Sequence, residues 1–403
     1  MMPPPLRLPR ALPLCRLRHA SSSSSSSASA AATSFSVDAD IARARTPPGS
    51  FYAPSAAAFA EQRERVFARS WQLVPRLSAL GAHGDALPFS LLRGALDEPL
   101  LAVRDGAATR VLSNACSHRG KELLAGEGLR SLAEAGVIRC GYHGRRFGLD
   151  GRCLGAPGFA RAEPAADDLP AAELHQWRGL PFVRLPPPVM TQAHAPAQAQ
   201  SFEAHFGDLL ARLAPLPVER LEADASGTRS FTVRCHWALY VENYLEGLHV
   251  PFVHPSLSRA LDMSQYRTEL FSWGSLQVGP ARSEDAADAL LPLPPLAGAG
   301  AGAAGAGRER VAALYAWLWP NTMVNFYSWG LSANVVVPEA PDRTRIDYAR
   351  YLWPREAIAA ARGDVGGSGG GRSGMVKKGV TSRFRRCQRR RAFLPTHLRH
   401  LQS

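Results

Sequence analysis

The sequence predicts an α+β chain of two domains, an all-β domain followed by one in which helices accompany strands. Three observations carry this expectation. From Trp71 to Leu185 short apolar runs are separated by Gly, Asp and Pro, the pattern of small antiparallel sheets. Beyond Pro186 to Gln200 (PPPVMTQAHAPAQAQ), a linker-like stretch, helical spacing returns and is followed by further strand-like runs. A length of 403 residues also exceeds what one core comfortably serves.

Order is expected from Phe51, with a short amphipathic helix in Glu61 to Trp71 (EQRERVFARSW) leading into a strand. Strands of the first domain fall on Leu87 to Leu92, Leu100 to Val103, Gly136 to Ile138 and Pro181 to Val183. In the second domain Phe202 to Leu213 reads as helix, Arg229 to Cys235 as strand, and Ala238 to His249 as helix. Pro251 closes that helix, because its ring disfavours helical conformation in the preceding residue. Strands resume at Val311 to Trp317, Met323 to Tyr327, Leu331 to Val337 and Arg345 to Leu352, after a low-complexity loop at Pro295 to Gly307. The divisions are therefore a leader (1–50), a β-domain (51–185), the linker (186–200), a second domain (201–360) and an atypical tail (361–403).

Residues 1–37 hold four Arg and no acid, and residues 365–403 hold ten Lys or Arg and no acid, which leaves 33 basic against 34 acidic residues between them. The net charge of +13 thus belongs to the ends, and a nucleic-acid groove is excluded. The leader, with Arg7, Arg10, Arg16, Arg18 and the run Ser21 to Ser27, has the composition of an organelle transit peptide, plastid in preference to mitochondrion. No run of 18 apolar residues predicts a membrane-spanning helix. Six scattered cysteines (Cys15, Cys116, Cys140, Cys153, Cys235, Cys387) suit metal binding or packing better than a disulfide scaffold.

Cys116-Ser-His118 and Cys140-Gly-Tyr-His143 form a C-x-H and a C-x-x-H separated by 21 residues, each beside glycine. Two thiolates and two imidazoles suit a tetrahedral zinc or a cluster in which His replaces Cys on one of two irons. Further on, Glu242-Asn-Tyr-Leu-Glu246-Gly-Leu-His249-Val-Pro-Phe-Val-His254 places Glu246 and His249 three apart, on one helix face, and a turn at Pro251 returns His254 to the same point. Two His and a carboxylate on one side of Fe(II) leave open positions for O2 and substrate.

The strings CSHRG and CGYHGRRFGLDG resemble the Rieske motif of ring-hydroxylating oxygenase large subunits, and ENYLEGLHVPFVH resembles the same family's iron segment. The resemblance implies a [2Fe-2S] cluster with Cys116 and Cys140 on one iron and His118 and His143 on the other. It implies a mononuclear Fe(II) on His249 and His254 in a helix-grip catalytic domain. Glu246 is then not a ligand; it links His249 to a cluster histidine of the neighbouring subunit in a homotrimer. A ferredoxin or flavin reductase supplies electrons for hydroxylation of a small organic substrate with O2.

Three features qualify the match to the cluster motif. The gap between the half-motifs is long, which an inserted hairpin at Leu129 to Gly136 accounts for; Arg145 stands where the family often has Trp; and Cys153, outside the pattern, reads as a packed thiol. The family's third iron ligand would land in the glycine run Gly366 to Gly371, which offers no carboxylate, and three explanations compete: first a misassigned final exon, then Asp364, the nearest acid, as the ligand from a displaced loop, and last a chain that has lost its iron. For substrate, NYLEGLHVPFVHP lies closer to the choline and carnitine monooxygenase branch, with choline and glycine betaine synthesis the specific expectation. Trp317, Trp319, Tyr327 and Trp329, with Phe326, are candidates for a cation cage. The alternatives are an aromatic-ring dioxygenase, a Rieske electron carrier, and a binding protein without catalytic iron.

Overall fold

The computed structural model describes residues 49–158, 166–186, 200–282 and 311–354. The leader, most of the linker, the Ala/Gly loop, Asp364 and the basic tail lie outside the described residues. The described residues divide into two compact units, one built mainly from residues 76–175 and the other mainly from 200 onward.

Two helices open the chain, α1 (Gly49–Tyr52) and α2 (Ala56–Arg65), the second capped by Ser55, whose hydroxyl accepts the Ala58 N–H at 3.2 Å. The strands that follow are β1 (Gln72–Leu73), β2 (Asp85–Leu91), β3 (Glu98–Asp105), β4 (Ala108–Ser113), β5 (Arg130–Ser131), β6 (Val137–Arg139), β7 (Arg146–Gly148), β8 (Cys153–Gly155), β9 (Ala171–Trp177) and β10 (Leu180–Arg184). One antiparallel sheet runs β10-β9-β4-β3-β2-β5, and β6-β7-β8 form a second, three-stranded sheet. The run Leu100, Leu101, Ala102, Val103 is buried on both faces of β3, as expected of a central strand covered on each side. Ala86, Leu101, Val103 and Leu112 pack with Ile138 and Phe147 of the small sheet and with Leu149 just beyond β7, and Cys116 and Cys140 belong to this same core. Cys153 packs against it from the side, as a packed thiol would.

The inserted segment near Leu129 is not a hairpin paired with itself. Its strand β5 pairs with β2, Asp85 opposite Ser131 and Ala86 opposite Arg130. The insertion therefore extends the main sheet by one edge strand.

The second unit contains α3 (Phe202–Arg212), β11 (Glu222–Ala223), β12 (Arg229–Val233), α4 (Trp237–Leu245), the short helices α5 (Val250–Val253) and α6 (Pro255–Ala260), and β13 (Arg267–Phe271) to β18. The remaining strands are β14 (Gly274–Pro280), β15 (Val311–Leu318), β16 (Thr322–Tyr327), β17 (Gly330–Ala340) and β18 (Arg343–Leu352). They form an antiparallel sheet of order β11-β18-β17-β16-β15-β14-β13, with β12 also pairing β18. In α3, Phe202, His205, Phe206 and Leu209 recur at helical spacing and are all buried. Leu209 reaches the sheet at Gly274, where an added Cβ would meet its Cδ2 at 2.9 Å and the Trp317 carbonyl at 2.4 Å. The chain is thus α+β, a β-unit followed by a helix-bearing antiparallel sheet. No described helix is long and apolar enough to cross a membrane.

Candidate metal centres

The four cluster candidates sit on two loops of matching construction. In the loop after β4, the Cys116 N–H donates to the Lys121 carbonyl at 2.9 Å and the Cys116 carbonyl accepts the Gly120 N–H at 2.8 Å. Between β6 and β7, the Cys140 N–H donates to the Arg145 carbonyl at 2.8 Å and its carbonyl accepts the Gly144 N–H at 3.1 Å. Gly120 and Gly144 have φ of 66° and 73°, a left-handed conformation that a side chain would strain. The glycines beside each half-motif are there to close these turns.

Cys116 and Cys140 are buried, His118 is half-buried and His143 is exposed. The two imidazole rings stand 4.9 Å apart, and Tyr142 lies against His143 with ring centres at 3.8 Å. Burial pushes the Cys116 thiol above its ordinary value. At Cys140 burial acts the same way, but the N–H groups of Tyr142 and His143 outweigh it and hold the thiol low; the Tyr142 N–H lies 3.5 Å from Sγ. Burial, and next the Arg145 guanidinium, keep His118 below the usual imidazole range and so neutral, as a metal ligand must be. Two buried thiols and two outer imidazoles are a donor set that fits a cluster of the two-Cys, two-His type.

The second centre lies where α4 ends. The sequence places Glu246 and His249 on one helix face, but the helix stops at Leu245 and Glu246 is extended, with φ −128° and ψ 160°. Its carboxylate ends the helix by turning onto the following chain. It accepts the Leu248 N–H, the His249 N–H at 3.2 Å, and Nδ1 of His249. Gly247 is required between them, since a Cβ there would lie 2.5 Å from the Tyr266 ring. Pro251 sits in the first turn of α5, and His254 separates α5 from α6, its ring 5.1 Å from that of His249. With Nδ1–H of His249 donated to Glu246, Nε2 is the nitrogen left for a metal. The two imidazoles fit an iron site; the expected carboxylate, Asp364, lies outside the described residues.

Residues 70–175 match the model of the Rieske [2Fe-2S] domain, and residues 216–368 match that of the ring hydroxylating alpha subunit catalytic domain. The chain belongs to the Rieske oxygenases. It is 28% identical over 329 residues to the choline monooxygenase, chloroplastic, of Arabidopsis thaliana, covering 78% of this chain and 69% of that protein. It is also 28% identical over 287 residues to the carnitine monooxygenase oxygenase subunit of Escherichia coli K12, covering 70% and 67%. The fold matches the quaternary ammonium Rieske monooxygenase CntA in complex with its substrate L-carnitine, at TM-score 0.56 and 22% identity over 78% of each chain. It matches naphthalene 1,2-dioxygenase from Rhodococcus at TM-score 0.58 and 18% identity, over 79% of this chain and 75% of that one. This Rieske oxygenase is an oxidoreductase of the choline and carnitine monooxygenase branch, with a [2Fe-2S] domain and a mononuclear-iron catalytic domain.

In this oxygenase the aromatic candidates do not form one cage. Trp317 lies opposite Met323 near the β15–β16 turn, whereas Tyr327 lies opposite Ala313 at the other end. Four residues of strand separate the two places, roughly 13 Å. Trp317 and Trp319 pack edge to face at 5.8 Å, Tyr327 and Trp329 stack at 5.2 Å, and Phe326 is fully buried. The rings that do converge are tyrosines. Tyr315 lies between Tyr244 and Tyr327, at 6.5 and 5.9 Å, and packs with Tyr266 and with Leu257 and Leu261 of the segment after His254. Tyr244 donates to Asn325 Oδ1 at 2.7 Å and to the Ala316 carbonyl at 3.1 Å, and Tyr266 donates to Gln277 Oε1 at 2.8 Å. Burial raises all four phenols above their ordinary value, so they remain neutral. Alternation on β15 and β16 aligns Tyr315 with Tyr327; the contributions of Tyr244 and Tyr266 depend on tertiary packing.

Proposed function

We propose that this oxygenase hydroxylates a small quaternary ammonium alcohol, with choline the specific candidate and glycine betaine synthesis the pathway it would serve. The observation that carries the reading is the tyrosine wall that Tyr266 brings up to Gly247, neutral aromatic rings of which Tyr244 and Tyr266 are held by the neutral partners Asn325 and Gln277. Tyrosine faces attract a desolvated cation, each contact being worth about 0.5–2 kcal/mol. The names of the relatives, which act on choline and carnitine, agree with it. An aromatic substrate is the second reading, supported by Leu257, Leu261 and Met263 in the same wall.

Cys116, Cys140, His118 and His143 would hold the cluster, and His249, His254 and Asp364 the iron; together these groups supply single electrons and activate O2 when bound. Glu246 fixes the His249 tautomer and offers its other face to a cluster histidine of a neighbouring copy. Leu248 and Phe252, 82% and 87% exposed, flank this segment as apolar groups that an adjoining subunit of a homotrimer would cover. Inter-subunit electron transfer is named for a solved quaternary ammonium monooxygenase of similar fold. The exposed Arg119, Lys121, Arg139 and Arg146 around the cluster loops suit an acidic ferredoxin as electron donor. The serine-rich leader and the chloroplastic relatives favour the plastid.

Stopped-flow reoxidation of the reduced cluster under O2 tests the substrate. Choline should accelerate it, and the neutral isostere 3,3-dimethylbutanol should do so poorly. Equal stimulation by both would remove choline and favour the apolar reading.

A further inference from the structure

We propose that Arg145 is a positioning residue for the cluster, a buried cation that ties the two ligand loops together and eases reduction of the cluster they hold. The proposal rests on the ligand assignment above. Arg145 directly follows the second loop and is 5% exposed. Its Nη1 donates to Ser117 Oγ at 3.0 Å and to Asp167 Oδ1 at 2.6 Å. Ser117 is the residue between Cys116 and His118, and its hydroxyl donates in turn to the Asp167 carbonyl at 2.6 Å. The Arg145 carbonyl accepts the Cys140 N–H at 2.8 Å. One residue thus joins the first loop, the second loop and the segment ahead of β9.

The pair is unequally screened. The Arg145 side chain is 6% exposed and that of Asp167 is 24%, so water weakens the field of the carboxylate more than that of the guanidinium. The net field at the cluster is positive, which favours the reduced form because reduction adds negative charge. A clamp that was only structural would leave the potential unmoved by which member of the pair carried charge.

The test is an EPR-monitored redox titration of the purified, cluster-loaded chain and three variants. Arg145→Gln should lower the midpoint potential and Asp167→Asn should raise it, each shifting the oxidised-to-reduced ratio at fixed poise by about threefold or more, roughly 30 mV for one electron. Arg145→Lys keeps the charge without the planar fork. It should hold a near-native potential while losing its cluster to a chelator faster than the native chain. Shifts of Arg145→Gln and Asp167→Asn in the same direction, or none in either, would overturn the proposal, as would a potential for Arg145→Lys as low as that of Arg145→Gln. If the native chain gave no Rieske-type signal, the ligand assignment itself would fall and the proposal with it.

Discussion

Replacing Glu246 by glutamine asks whether the second histidine site is built by that carboxylate. The native side chain faces three donors and presents only acceptors. An amide has one oxygen, so its NH2 must face either a backbone N–H or Nδ1 of His249. If it faces Nδ1, that nitrogen becomes the acceptor, the proton moves to Nε2, and the ring can no longer bind metal through it. Losing such a partner of a metal-bound imidazole typically costs about 10–100-fold in metal affinity, roughly 1.4–2.7 kcal/mol. Glu246→Gln should therefore bind Fe(II) at least about tenfold more weakly in anaerobic chelator competition, with the cluster's EPR signal unchanged. At saturating iron, reoxidation of the cluster by substrate and O2 should still be very slow, because the proposed bridge between imidazoles of adjacent copies would lose its charge. Native iron affinity together with native reoxidation would refute both roles.

Four further outcomes follow from particular contacts. Gly247→Ala must push Tyr266 or the Glu246 turn aside to relieve a 2.5 Å contact; overpacking of this kind costs about 1–3 kcal/mol, read as a lower midpoint in urea unfolding. His236, buried at the start of α4, has its pKa pushed down by burial to about 4. Its pKa is lower folded than unfolded, so the unfolded chain takes up the extra proton and stability is lost as pH falls from about 6.5 to 4, by no more than about 3 kcal/mol; a His236→Asn variant should show a flatter profile over that window. Reduction of the cluster by an acidic ferredoxin should slow as salt rises, and an Arg139→Glu, Arg146→Glu double variant should lose most of that dependence. Asp364→Ala should abolish retained mononuclear iron, measured by metal analysis of the reconstituted chain, if that acid is the third ligand.

The regular elements of both units were legible because their apolar runs have strand or helix period, as in Phe202 to Leu213, realised as α3. Both sets of paired metal candidates were legible for another reason, since their ligands lie within a few residues of each other. What stayed hidden depends on contacts between distant positions. Glu246 reads as the next turn of a helix, but a carboxylate that caps its own downstream N–H groups ends the helix first. The long gap between the half-motifs suggested a hairpin, whereas β5 finds its partner in β2, more than forty residues earlier in the chain. Arg145 was visible as an oddity beside the cluster; its partner Asp167, beyond two strands, was not. The tryptophans drew attention by residue type; the register of β15 against β16 aligns Tyr315 with Tyr327, and only tertiary packing brings Tyr244 and Tyr266 to them.

The matching closure of the two cluster loops ties them to the core of the β-unit. Each loop is shut by main-chain bonds that use no sulfur or imidazole atom, and each cysteine is already part of the hydrophobic core. The main chain thus contributes to the shape of both loops through bonds of its own. The two cysteines are therefore bound by packing as well as by sequence, so a substitution in the β-core, such as at Phe147 or Ile138, reaches the ligand loops even though it touches no ligand directly.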